Sequence, residues 1–220
     1  VLYNKCSVKR KKCLRYATIC STAGFLGNPI AQGVFGMMGL TLASIYLIPQ
    51  RIMMWSEGVS VFTEAPTKKE MLKKIFTHPC IIACEIGIVL MLTGWRPPHF
   101  LEETITSVSN CNTAMSMLVI GMILADADPK TIIDKDVLFY TFIRLLIIPF
   151  CVFIPCWLLR IDSLVMGVSV ILAAMPAGAT TTILASKYDC EEEFSVKLVV
   201  FSTAASLITT PLWNMILLKF

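Results

Sequence analysis

Residues 171–188 read ILAAMPAGATTTILASKY, and residues 21–36 read STAGFLGNPIAQGVFG. Both are apolar stretches interrupted by helix breakers. In the first, Pro176 and Gly178 are followed by Thr180, Thr181 and Thr182. In the second, Gly24, Gly27, Asn28, Pro29 and Gly33 fall within a few turns. Proline removes a backbone donor and collides with the preceding turn, and glycine weakens the helix further. A break in apolar surroundings frees N–H and C=O groups that must find partners in protein or in a wet cavity. Half-helices that stop at one depth also aim dipole ends there, N-termini favouring anions and C-terminal carbonyls favouring cations. The two segments therefore predict a pair of discontinuous helices.

Their surroundings are those of a membrane protein. Of 220 residues, 56% are hydrophobic and 15% charged, and the mean hydropathy is +0.73. Soluble domains carry roughly 25% charged residues. A soluble chain this apolar would expose large aggregating patches. Composition thus excludes a soluble enzyme, a nucleic-acid binder and a disordered segment. About seven stretches are long and apolar enough to cross a bilayer as helices: residues 16–35, 38–62, 79–95, 104–125, 137–159, 163–186 and 194–218. No strand-like alternation competes with them.

The loops give an orientation. Lys5, Lys9, Arg10, Lys11, Lys12 and Arg15 precede the first stretch, and Lys68, Lys69, Lys73 and Lys74 follow the second. Lys130, Lys135 and Lys187 fall on the same side. The opposite side holds Arg96, Arg160 and Lys219. The positive-inside rule puts the first group in the cytoplasm and the C-terminus outside. The net charge of +4 is then a topology signal, with no nucleic-acid partner implied. The 9 cysteines are odd in number and mostly lie in apolar runs, as small buried hydrophobes do.

The two broken stretches are the first and the sixth of the seven, five spans apart, so they run in opposite directions. Each is followed by a long span with a proline, Pro49 or Pro211. That is the pattern of inverted repeats with a site where the broken helices cross. Residues 79–220 hold a full five-helix repeat, and residues 16–63 hold the last two helices of another. Residues 1–15 form a basic cytoplasmic loop and residues 64–78 a cytoplasmic linker. About three further spans are expected upstream of Val1.

Polar groups at membrane depth are functional candidates. Around the first break these are Thr22, Asn28, Pro29 and Gln32, and around the second Pro176, Gly178 and Thr180. Residues 104–125 add Asn110, Asn112 and Thr113, with Asn112 and Ser116 on one face. Asparagine amides could donate to a carboxylate, or equally bond between helices. Arg51 either attracts an anion or pairs with Glu85. A carboxyl buried at Glu85 would suit proton exchange, or would serve as that structural partner. Arg144, Glu57 and Lys197 are the other charges within spans. Ser202, Ser206 and Thr209 read as a packing stripe. HExxH, GxSxG, P-loop and GxGxxG motifs are lacking, and His78 and His99 are the two histidines. An enzyme, a metal and a cofactor are therefore not expected.

Several stretches resemble the auxin efflux carrier family, the PIN-like permeases. GFLGNPIAQGVFG (24–36) and GLTLASIYLIPQRIMMWSEGVSVF (39–62) are similar to its fourth and fifth helices. HPCIIACEIGIVL (78–90), TAMSMLVIGMILAD (113–126) and RLLIIPF (144–150) are similar to the sixth, seventh and eighth. ILAAMPAGATTTILASKYDCEEEFSVKLVVFSTAASLITTPL (171–212) resembles the ninth and tenth. Departures are Thr22 where the family has an asparagine, Asn28 beside Pro29, and His78-Pro79 in place of Asn-Pro. The resemblance implies an all-α integral membrane protein with an inverted-repeat transporter fold like that of sodium/proton antiporters, containing helices four to ten of ten. It further implies elevator-type alternating access for small organic anions such as carboxylates, a proton or sodium ion as candidate coupling ion, and a homodimer. The competing reading is a membrane-embedded sensor or scaffold that keeps the fold without transporting.

Overall fold

The computed structural model describes residues 7–54, 61–62, 79–95, 97–125 and 134–217. Among them the chain is helical, and its one extended pairing is an isolated antiparallel bridge between Ser21 and Ala177. The helices are α1 (Val8–Ile19), α2 (Asn28–Met53), α3 (Pro79–Thr93), α4 (His99–Ala125), α5 (Lys135–Phe142), α6 (Ile148–Leu158), α7 (Ser163–Ala173), α8 (Thr180–Lys187) and α9 (Glu192–Leu217). A π-helical turn, Ala23–Gly27, leads into α2, and another, Ile143–Ile147, joins α5 to α6.

Three described stretches are long and apolar enough to cross a membrane: Ala23–Met53, Lys135–Leu158 and Glu192–Leu217. Length alone overstates the first. Gly36 stands at φ 66°, ψ −157°, a conformation that only glycine adopts readily. The chain folds back there. A Cβ on Gly39 would stand 2.5 Å from the Ala31 carbonyl oxygen, and one on Gly24 would stand 2.5 Å from Arg51 Nη2. A straight helix would separate Gly24 from Arg51 by roughly 40 Å. Residues 23–35 and 37–53 are thus antiparallel arms, divided at the boundary expected between the first two apolar stretches.

Helix starts follow capping chemistry. Ser7 accepts from Arg10 N–H at 3.3 Å, Asp134 from Asp136 N–H at 3.0 Å, and Asp162 from Leu164 N–H at 3.0 Å. Such caps satisfy donors that a first helical turn leaves free. Ser7 explains why α1 begins at Val8, inside the stretch expected as a basic loop over residues 1–15. Its inner face, with Cys13, Leu14, Tyr16 and Ala17, is buried.

Two hydrophobic cores flank the Ser21–Ala177 bridge. One gathers Leu14, Tyr16 and Ala17 of α1, Val137 and Tyr140 of α5, Leu184 of α8, and Phe194 and Leu198 of α9. The other gathers Ala31, Ala43 and Leu47 of α2, Ile171 and Leu172 of α7, Met175, and Trp213 and Leu217 of α9. Each broken helix therefore gives one half to each core, and α9 runs the length of both. Cβ atoms on Gly27 and Gly167 would stand 2.6 Å from Leu172 and Phe35 respectively. As numbers rise along residues 23–35 they fall along α7, so these halves are antiparallel.

Pro149 accounts for the second π turn. A proline cannot bond to the carbonyl four residues back and crowds it, here that of Leu145. The indole Nε1–H of Trp213 takes up this carbonyl at 2.9 Å, with its ring edge-on to Phe150 at 4.7 Å. At the far end Arg10 ties α1 to the starts of α5 and α9. Its Nε lies 2.7 Å from Glu191 and its Nη1 3.0 Å from Asp134 and 3.4 Å from Asp136. Its guanidinium also stacks on Phe194. Partial burial pushes the Glu191 carboxyl up, but hydrogen bonds from Arg10 and Ser7 and the Arg10 charge outweigh it, and the group is held below its ordinary value.

Two outcomes are expected. Trp213→Phe keeps the ring contacts and leaves the Leu145 carbonyl without a donor. It should lower the thermal unfolding midpoint, at a cost of about 1–3 kcal/mol, and an unchanged midpoint would remove the indole from this account. Because the Glu191 value is depressed on folding, its contribution is present above the unfolded carboxylate pKa and is lost as pH falls through the folded one. Solvent screening keeps the effect to about 1 kcal/mol or less. Stability measured below the ordinary carboxylate range should fall less in Arg10→Ala than in the parent.

Candidate functional site

The two breaks meet. Between α1 and the π turn, Cys20 is extended (φ −105°, ψ 110°). Between α7 and α8, residues 174–179 leave the helix around Pro176. The strand-like pieces cross antiparallel and exchange main-chain bonds: Thr22 N–H to Pro176 O at 3.0 Å, and Gly178 N–H to Cys20 O at 3.1 Å. The Thr22 hydroxyl donates to the Ala177 carbonyl. Ser202 of α9 accepts the Ala177 N–H at 3.2 Å. The backbones are close at Gly178, where a Cβ would stand 3.3 Å from Cys20 O.

Three further carbonyls at the helix ends are met by α5 and the turn after it. Tyr140 OH donates to Ala17 O at 2.8 Å. The Arg144 side chain, in a residue only 6% exposed, donates from Nε to Met175 O at 2.9 Å and from Nη1 to Thr18 O at 3.0 Å. One guanidinium thus reaches the C-terminal end of α1 and the chain just past that of α7. Hydrogen bonds from a charged donor contribute about 1.5–3 kcal/mol each, which offsets the desolvation of the cation.

The N-terminal sides of the breaks face a different cation. Arg51 Nη2 lies against Gly24. A narrow cavity of about 20 Å³ there is lined by Thr22, Gly24, Gln50, Arg51, Gly178 and Thr180. Gln50 donates to Ser21 Oγ at 2.7 Å. Gly24 and Phe25 continue into a second cavity of about 290 Å³, bounded by Asn28, Pro29 and Gln32 on one wall and by Ser109 and Asn110 of α4 on another. The buried Oδ1 of Asn28 has no partner among the described residues.

The structure therefore brings Thr22, Gly178, Thr180 and Arg51 to one cavity, and Asn28, Pro29, Gln32 and Asn110 to the next. Pro176 contributes its carbonyl to the crossing itself. Glu85 is exposed on α3, and no ion pair between it and Arg51 is found among the described residues. The side chains of Asn112, Thr113 and Ser116, and residue Glu57, lie outside the described part. The first break differs from its expected place. The break runs through residues 20–22, with Cys20 and Ser21 strand-like and Thr22 in a turn, upstream of the glycine cluster, and Pro29 sits in the first turn of α2, where its missing N–H is tolerated. Sequence reasoning gave Arg144 no role at the crossing and read Ser202 as packing. The signals were an arginine in the apolar run RLLIIPF and a buried serine stripe.

Comparison with known proteins bears on what this site serves. A family model described as membrane transport protein matches residues 63–214. An uncharacterized transporter of Methanothermobacter thermautotrophicus is 26% identical over 206 residues, covering 93% of this chain and 67% of the relative. The uncharacterized transporter YfdV of Escherichia coli is 21% identical, covering 87% and 63%. Auxin efflux carrier component 8 of Arabidopsis thaliana is 24% identical over 152 residues, covering 66% and 41%. The chain thus spans about two thirds of the length of the microbial relatives. It belongs to the membrane transport protein family, the permeases that include the auxin efflux carriers, and is on that ground an integral membrane transporter rather than an enzyme.

Proposed function

We propose that the chain forms part of a carrier for small organic anions, with the anion held beside the helix crossing. The observation that carries this reading is Arg51. It borders the crossing cavity and has no carboxylate partner among the described residues. A cation at membrane depth needs a partner or a wet cavity, and a carboxylate from the transported molecule supplies one. The dipoles agree in sign. The C-terminal end of α1 and the chain just past α7 are engaged by Arg144. The starts of residues 23–35 and of α8 keep their positive ends at the cavity. Asn28, Gln32 and Asn110 line the adjoining space, where neutral amides bond a carboxylate without adding charge.

In this reading the two broken helices belong to inverted five-helix repeats, completed by about three spans outside this sequence. The crossing moves as one body in an elevator-type cycle, and a homodimer forms through the remaining helices. The basic loops face the cytoplasm and the C-terminus faces outward. Binding favours the moving state only through contacts that differ between states.

Uptake of labelled mono- and dicarboxylates into proteoliposomes holding the full-length protein tests the proposal. Saturable flux is expected, and its absence from a folded, correctly inserted protein would favour a non-transporting sensor or scaffold. Arg51→Gln should weaken apparent affinity for the transported anion by about 10–100-fold, with Arg51→Lys in between. Equal affinity in all three would place the anion elsewhere. Pro176→Ala should reduce transport while leaving expression largely intact, because a residue free to become helical competes with the extended crossing. Normal flux in that variant would refute the role given to the second break.

A further inference from the structure

The geometry points to Arg144 as a built-in counter-charge that binds both helix ends at the crossing, in the place that a bound cation would otherwise have to take. The carbonyls freed by a broken helix carry the negative end of its dipole. Two such ends converge here, one from α1 and one from the α7 side. In transporters built this way, unwound carbonyls of this kind commonly hold sodium or a proton-carrying group. In this chain Thr18 O and Met175 O are both taken by one guanidinium, at 3.0 and 2.9 Å. No carboxylate pairs with Arg144 among the described residues, so its charge is answered by carbonyl dipoles. Arginine keeps its proton at any accessible pH, and its planar fork reaches two acceptors at once. Arg144 sits in the π turn Ile143–Ile147. Trp213 takes up the carbonyl of the next residue, Leu145, and so holds that turn in place. Arg144 is therefore a positioning residue: it fixes the two broken helices relative to each other and leaves no role at these carbonyls for a soluble cation.

The inference deepens the carrier reading in one respect, the coupling ion, and its test does not depend on flux. Thermal unfolding of the purified full-length protein is followed in sodium, potassium and choline chloride at equal ionic strength. The parent midpoint is expected to be the same in all three. Arg144→Gln, which removes the charge, should fall by several degrees in choline and recover part of that loss in sodium. Arg144→Lys, which keeps the charge, should remain indifferent to the cation. A parent protein stabilised by sodium over choline would overturn the inference even if no variant could be purified. So would an Arg144→Gln protein that loses the same amount in every salt, because the arginine would then act by packing alone. If the parent carries no anion in proteoliposomes while these midpoints behave as expected, the carrier reading fails and the role of Arg144 stands.

Discussion

The backbone at the crossing is the constraint on which the rest depends. Two helices are interrupted in apolar surroundings, and every freed N–H and C=O group has to be met from within the protein. The solution is economical because each break answers the other. Thr22 and Gly178 exchange main-chain bonds with Pro176 and Cys20, so the bridge between Ser21 and Ala177 does for two breaks what a sheet does for two strands. Neither broken helix would be tolerable alone at this depth. The groups left over fix the third and fourth elements around the crossing: Tyr140 and Arg144 on one side and Ser202 of α9 on the other.

From that arrangement follows an electrostatic asymmetry. A crossing of two broken helices offers two negative and two positive ends, which by themselves would suit ions of either sign. A fixed guanidinium on the negative ends changes this balance. The side that faces Gly24, Thr180 and Arg51 then keeps helix N-termini and a second cation together. In the carrier proposed above, this local field would reward a carboxylate and penalise a metal cation. Charge at the site is thus set by which helix ends are occupied, beyond any count of basic residues in the sequence.

Much of this was legible in the sequence, and the limits are instructive. The break at Pro176 follows from proline chemistry, whereas the first break lies at residues 20–22, ahead of the glycines that pointed to it; apart from α1, most described helices fall on the apolar stretches. Opposite directions for the two broken helices followed from counting spans. What could not be read was pairing across long separations. Nothing in the local pattern of Thr22 identifies Ala177 as its acceptor, since that bond joins positions that only the fold brings together. The same holds for Arg144, whose acceptors are main-chain oxygens and leave no mark on residue identity. Boundaries failed for a third reason. A cap at Ser7 extends α1 back through residues whose charges argued for a loop, because one face of that segment is buried while Lys9 and Arg15 stay exposed.

The placement of the two cores bears on how such a site could move. Each broken helix contributes to both cores, and α9 spans them. A displacement that separated α1 from residues 23–35, or α7 from α8, would have to break the crossing bonds and expose backbone to the bilayer. Moving the crossing together with α5, α6 and α9 exposes none of it. Across the larger cavity this assembly faces Ile105, Thr106, Ser109 and Asn110 of α4, side chains that can slide past a neighbour more readily than interlocked main chains can part. In the proposed carrier, broken helices whose backbones satisfy each other would favour motion as a rigid body over motion within the site, and alternating access would then carry the crossing past α4 rather than open it.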